Sequence, residues 1–198
     1  MRDSIWTATL ASFRDRLASV EPVPAGVSTA AVSGTFGLGL LTKVLEIASK
    51  RKDFAGDRAL VRTLLHDARG LSETLSRLAD DDVAAFDEYL DCLRRKQPTD
   101  AALRRTIEVP LNVARTAASG LDLCAKAAGL AHAFVASDLG AASTLLAAAV
   151  GASLLSVHYN VQQLPEGDPY RGAVSSEISR LASQSERRSP ANAADERL

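Results

Sequence analysis

The sequence predicts an all-α protein, an up-and-down bundle of five or six helices, and three observations carry that prediction. Aromatic residues make up only 5% of the chain while hydrophobic residues make up 46%. The core must therefore be built from Ala, Leu and Val, residues of helix interfaces more than of sheets. Apolar residues recur at helical spacing over long segments, and these segments are separated by short breaks bearing Pro or Gly. No alternating run of useful strand length and no internal repeat is present. A length of 198 residues fits one domain, expected over residues 1–182, with a polar, disordered tail over 183–198.

A first amphipathic helix is expected over about residues 4–19, with Ile5, Leu10, Phe13, Leu17 and Val20 as its apolar stripe. It stops at Glu21-Pro22-Val23-Pro24, where two prolines forbid continuation. A second helix, about 28–51, carries Ala30, Gly34, Leu38 and Ser33, Gly37, Leu41 in two rows with a four-residue step. Glycine costs about 1 kcal/mol in a helix interior relative to alanine. Gly34, Gly37 and Gly39 therefore point to close packing, and this small-residue strip is the expected dimer contact.

The third helix, about 57–95, presents the seam Leu64, Ala68, Leu71, Leu75, Leu78, Asp82, Ala85, Tyr89, Cys92. Asp82 is its single charge. Lys96-Gln97-Pro98 breaks the chain, and Thr99 is placed to cap a fourth helix reaching about residue 128, interrupted or kinked near Pro110. Gly129 follows as a stop. Ser137 is placed to cap a fifth helix with Asp138 in its first turn, extending to about residue 161. Residues 165–169 read as a turn, and 174–182 as a last short helix.

Charge and cysteine usage narrow the function classes. With 23 basic and 24 acidic residues the formal net charge is −1, which removes the electrostatic reason to expect a nucleic-acid partner. Cys92 and Cys124 belong to no CxxC or Cys/His cluster, and two such cysteines fit a reduced, cytoplasmic compartment. The N-terminal segment alternates charged and apolar residues and lacks the continuous apolar region of a signal peptide. Residues 22–42 and 139–165 carry no Asp, Glu, Lys or Arg and are long enough to span a membrane. Their richness in Ser, Thr, Gly and Ala fits a bundle centre or an oligomer interface instead, so no membrane partner is expected.

No metal site is expected, because His66, His132 and His158 form no ligand pair at helical spacing. His66, between Arg62 and Arg69, reads as a surface residue. Residues 25–28 ahead of the second helix form at most a weak anion-binding turn, with one glycine and no P-loop lysine. Asp82 has two readings that its position leaves open. Either the seam drifts and the carboxylate reaches solvent or a cation, or it serves as acid, base or cation stabiliser between helices, where a lone carboxylate is costly to bury. Asp138 complements a helix dipole, and Lys50-Arg51-Lys52 suits a helix C-terminus.

The segment Pro22-Val23-Pro24-Ala25-Gly26-Val27-Ser28-Thr29-Ala30-Ala31 resembles the P-x-P-G-G-G-S/G-x-A-A opening of the cyclodeaminase/cyclohydrolase family. This family includes the cyclodeaminase domain of formiminotransferase-cyclodeaminase and the methenyltetrahydrofolate cyclohydrolases of serine-cycle methylotrophs. Further matches follow in order along the chain. Lys50-Arg51-Lys52-Asp53-Phe54 is similar to K-K-K-x-[YF], and Asp82-Val83-Ala84-Ala85-Phe86 to D-x-x-A-F. Val109-Pro110-Leu111 matches V-P-L, Ser137-Asp138-Leu139-Gly140-Ala141-Ala142 matches S-D-x-G-x-A, and residues 156–160 correspond to N-V-x-x-N.

The resemblance implies a helical bundle that pairs into a homodimer and binds a tetrahydrofolate derivative as substrate near the subunit interface, with no permanently bound cofactor. It implies Asp82, Asp138 and His132 as catalytic groups, and Pro24, Gly26, Ser28, Lys52, Ser137 and Asn160 as substrate-binding groups. Departures are visible: the glycine triplet is Ala25-Gly26-Val27, the family's Gly-Asn reads Ala131-His132, and its first asparagine of N-V-x-x-N is Ser156. His132 rivals Asp82, since an imidazole titrates near neutral pH. Two other functions stand beside the folate reading: a cyclase or hydrolase acting on a non-folate imine or amine, and a non-catalytic binding subunit that kept the bundle.

Overall fold

The computed structural model describes residues 3–188. After a 3-10 turn at Ile5–Thr7 come α1 (Leu10–Leu17), α2 (Gly26–Lys50), α3 (Arg58–Arg94) and α4 (Asp100–Ala127). A second 3-10 turn, Ala133–Val135, leads into α5 (Ala136–Val161), and α6 (Pro169–Arg188) closes the described chain. The described residues contain six α-helices and no strand.

Helices α2 to α5 form an up-and-down four-helix bundle, and the contacts between them fix its sense. Ser28 meets Asp82 while Glu46 meets Arg69, so α2 and α3 run antiparallel. Glu88 pairs with Arg105 across α3 and α4, and Thr106 with Asn160 across α4 and α5. Lys43 reaches Asp138 across α2 and α5. α6 lies outside α4 and α5 and runs parallel to α4, joined to it by Arg104–Asp168, Arg115–Glu177 and Asp122–Gln184. Tyr170 donates its hydroxyl to Glu108 in the same seam. Arg180, and after it Arg115, pulls the Glu177 carboxyl down to about 2 against the opposing effect of burial.

The seam of α3 packs as its spacing requires: Leu64, Ala68, Leu75, Leu78 and Ala85 are all buried. Two glycines of α2, Gly34 and Gly37, are close-packed, but within the chain. A Cβ on Gly34 would sit 2.7 Å from Leu75 Cδ1 and 3.6 Å from Ala149 Cβ. One on Gly37 would sit 3.0 Å from the Ala142 carbonyl oxygen and 3.1 Å from Leu146 Cγ. These two glycines admit α3 and α5, so the expected use of the strip as a dimer contact is corrected at both. Gly39, like Gly26 at the start of the helix, faces open space.

Other expectations are corrected at the helix ends. The first helix is split, because Ser4 and Thr9 each cap a new start: Ser4 Oγ accepts from Trp6 N, and Thr9 Oγ1 from Ser12 N. α1 buries no residue, and Leu10 and Val20 are exposed rather than part of a core stripe. Thr99 stands at the start of α4 without a side-chain capping bond, and α5 begins at Ala136, one residue ahead of the expected cap Ser137. α6 starts at Pro169, not near residue 174, because Asp168 accepts from Tyr170 N and proline suits the first helical position. It also runs on through residues 183–188 to Arg188, which bonds Asp122. The rest of the expected tail, 189–198, lies outside the described residues.

α4 passes Pro110 unbroken. Proline has no N–H to give the carbonyl four residues back, which here is that of Thr106. Asn160 supplies the missing donor, its Nδ2 lying 2.8 Å from Thr106 O.

α2 and α5 are both long and apolar enough to cross a membrane by length and composition alone. Of α2's most apolar stretch 56% is buried in the bundle, against 39% for α5. The outer face of α5 leaves Leu155 and Tyr159 exposed, and neighbouring α2 leaves Phe36 exposed.

Candidate active site

The one charge on the α3 seam is held by the first turn of α2. Ala25, which precedes α2, offers no side-chain cap, so the leading N–H groups of that helix need an acceptor from elsewhere. Asp82 provides it: its Oδ2 accepts from Ser28 N at 3.1 Å and from Ser28 Oγ at 2.6 Å. Ser28 is 0% exposed. The second oxygen, Oδ1, has no hydrogen-bond partner among the described residues, and it is not sealed from solvent, because the one buried side-chain atom left unpaired there is Ser153 Oγ. Burial pushes the Asp82 carboxyl above its ordinary value, and the two Ser28 bonds oppose that. The group combines one fixed oxygen, one open oxygen and a proton affinity increased by desolvation.

The same turn of α2 borders a cavity of about 540 Å³ between α2 and α5. Pro24, Ala25, Gly26, Thr29 and Ala30 form one side and Ala148, Ala149 and Ala152 the other, with Leu17 and Glu21 from the preceding segment at the rim. Pro24 and Gly26 are thus where the sequence expected binding groups. A Cβ on Gly26 would meet nothing within 4 Å. Of the two residues replacing glycines, Val27 is buried in the core and only Ala25 adds a methyl to the cavity wall.

The remaining expected groups lie at the other end of the bundle. Asp138 accepts from Lys43 Nζ at 2.7 Å. His132 is exposed, its Nδ1 accepting from Phe134 N at 3.1 Å; nearby Asp53 is held below its ordinary value chiefly by Arg51, with His132 contributing least. Lys52 and Ser137 are exposed. Fifteen residues of α2 separate Ser28 from Lys43, about 22 Å at about 1.5 Å per residue. One chain therefore brings Asp82, Ser28, Pro24 and Gly26 together and keeps Asp138, His132, Lys52 and Ser137 apart from them. Asn160 lies at the Asp82 end, with its amide committed to Thr106. Sequence reasoning missed the pairing of Ser28 with Asp82, whose signal was a seam carboxylate opposite a helix start lacking a capping side chain. It also missed Leu17, Glu21 and Thr29 at the cavity.

Fold and site together define an all-helical bundle protein with a half-buried carboxylate clasped at a helix opening beside a small-molecule-sized cavity. Residues 9–179 match the formiminotransferase-cyclodeaminase family, to which the chain belongs. It is 30% identical over 169 residues to the methenyltetrahydrofolate cyclohydrolase of Methylorubrum extorquens, covering 80% of this chain and 81% of that one. Identity to the formimidoyltransferase-cyclodeaminase of Sus scrofa is 27% over 183 residues, covering 87% of this chain but only 34% of that longer protein. The crystal structure of formiminotetrahydrofolate cyclodeaminase from Thermotoga maritima superposes with a TM-score of 0.85 over 93% of both chains, at 21% identity, and so shares the fold.

Proposed function

We propose that the chain is a folate one-carbon enzyme that makes or breaks the C–N bond at the methenyl bridge of tetrahydrofolate, with Asp82 as its acid–base group. The observation that carries this reading is the Asp82 carboxylate, with one oxygen clasped and one open at the opening of α2. The names of the relatives supply the substrate class. In the hydrolytic direction water adds to the cationic carbon between the two nitrogens, and Asp82 takes one of its protons. The tetrahedral carbon then releases one ring nitrogen, which receives that proton; the other proton of the water leaves to solvent as the formyl group forms. In the cyclodeaminating direction the second nitrogen of the bridge attacks the formimino carbon and passes its proton to the imino nitrogen; the Asp82 carboxyl delivers one more proton as that C–N bond breaks, ammonia departs and the amidinium forms. The carboxylate also stabilises the amidinium cation common to both.

The working unit of this proposal is a homodimer formed across the outer faces of α2 and α5. The exposed Phe36, Leu155 and Tyr159 on otherwise small-residue helices support it. An antiparallel second copy brings the partner's Asp138, His132 and Lys52 toward the Asp82 end, which one chain cannot do. A second copy, not a lipid bilayer, suits a face so rich in Ala, Gly, Ser and Thr. A cytoplasmic setting belongs to the same proposal, supported by two unpaired cysteines, of which Cys124 is pushed up to about 11 by burial and is unreactive.

Titration with reduced folates, followed by the absorbance of methenyl-tetrahydrofolate, tests the reading. Binding with turnover is expected. Binding without turnover supports a non-catalytic subunit, and no binding supports a non-folate substrate.

A further inference from the structure

We infer that Ser28 is a positioning residue for Asp82: its hydroxyl and its own backbone N–H hold one carboxylate oxygen so that the other is presented to the reacting carbon. The inference rests on Asp82 being the acid–base group, and it removes Ser28 from the groups that touch substrate. With 0% exposure, Ser28 has no surface to offer a ligand. Its two donors converge on the same atom, Oδ2, at 3.1 and 2.6 Å, and leave Oδ1 without a partner among the described residues. A carboxylate with one oxygen fixed by two donors has a single orientation, and its free oxygen keeps its lone pairs for a proton in transit.

Ser28 also favours the ionised form of the group, opposing the burial that raises its proton affinity. Nothing charged shares this task. On α3, Asp80 is turned to Ser4 and Ile5, and Asp81 is exposed. The first turn of α2 has no ionisable side chain, and Glu21 ahead of it lies on the cavity rim. On α4, Glu108 is engaged by Tyr170 and Arg115. Only burial and Ser28 act on the Asp82 carboxyl.

The test compares the full chain with Ser28→Ala and with Ser28→Cys, a near-isosteric change to a weaker donor, each checked by its melting curve. The Asp82 carboxyl is followed by 13C NMR titration, assigned by its disappearance in Asp82→Asn. In Ser28→Ala its proton affinity should rise about three- to tenfold, and the acidic limb of the pH–rate profile should move upward by the same amount. The turnover number should fall about 10- to 100-fold, as misplacement of a catalytic group does, while KM for methenyl-tetrahydrofolate stays within twofold. Ser28→Cys should fall between, and it decides the matter alone if Ser28→Ala does not fold. A raised KM with an unmoved titration would make Ser28 a substrate ligand and overturn the inference, as would no change in either. If the unmodified chain turns over no folate, the titration still decides whether Ser28 holds Asp82, and the functional reading alone fails.

Discussion

Asp82 has a signature that separates function from scaffolding. Because burial holds its carboxyl above the ordinary value, the folded chain binds that proton more tightly than the unfolded chain does. The stability it contributes is therefore full below the unfolded carboxylate range and is lost as pH rises through the raised folded pKa, so that at neutral pH the ionised group is a burden. Asp82→Asn keeps the volume and an acceptor for Ser28. The variant should melt at or above the unmodified chain at pH 7, lose that advantage near pH 3, and turn over at least about 100-fold more slowly, the scale of a lost general base. Thermal melts across pH and the absorbance assay check both. A lower melting point at pH 7 would make Asp82 a structural cap instead. The suspicion was legible in the sequence, since one charge interrupts nine seam positions. Its partner was not, because helical spacing tells which face a residue occupies and not which element covers it.

At the scale of elements, two motifs that the sequence offered separately are halves of one bond. Val109-Pro110-Leu111 leaves a carbonyl unserved on α4, and Asn160 on α5 serves it. Asn160→Ala should destabilise the chain by about 1–3 kcal/mol, the cost of an unsatisfied buried carbonyl. In a Pro110→Ala background, where the helix regains its own N–H, the same substitution should cost well under half as much. Denaturant unfolding of the four proteins in this cycle measures the difference; equal costs in both backgrounds would show that Asn160 matters for some other reason. The long helices α2 and α3 were legible to within about two residues because each has continuous apolar periodicity between clear breakers. The interruption allowed for at Pro110 and the late helix start read beyond Pro169 fail for one physical reason. Proline forbids only a donor, and a helix tolerates that where a neighbour supplies one or where no donor is needed.

For the whole molecule, the outer face of α5 sets the prediction. Leu155→Glu adds a charge to a residue 63% exposed in the single chain, so helix content should be unchanged. If that face pairs two copies, sedimentation should shift from twice the 20.9 kDa chain mass to the chain mass, and turnover should fall with it. A variant that sediments and turns over like the unmodified chain would sink the dimer. The bundle and its sense could be read from alternating helices and breaks. The separation of Asp138 and its neighbours from Asp82 could not, because it follows from packing over the length of α2, which no local motif records.

Asp80 and Asp82 also close a ring. Asp80 accepts from Ser4 Oγ at 2.7 Å and Ile5 N at 2.9 Å, while Asp82 two residues on holds Ser28. The stretch between them, which carries α1 and supplies Leu17 and Glu21 to the cavity rim, thus leaves and returns to a single turn of α3. Its ends are already together, so lengthening or shortening it alters closure entropy by only about 0.6 kcal/mol per doubling. The rim of the cavity is therefore the part of this molecule most easily rebuilt: a new length or sequence there changes what the cavity admits, while Asp82 stays clasped where it is.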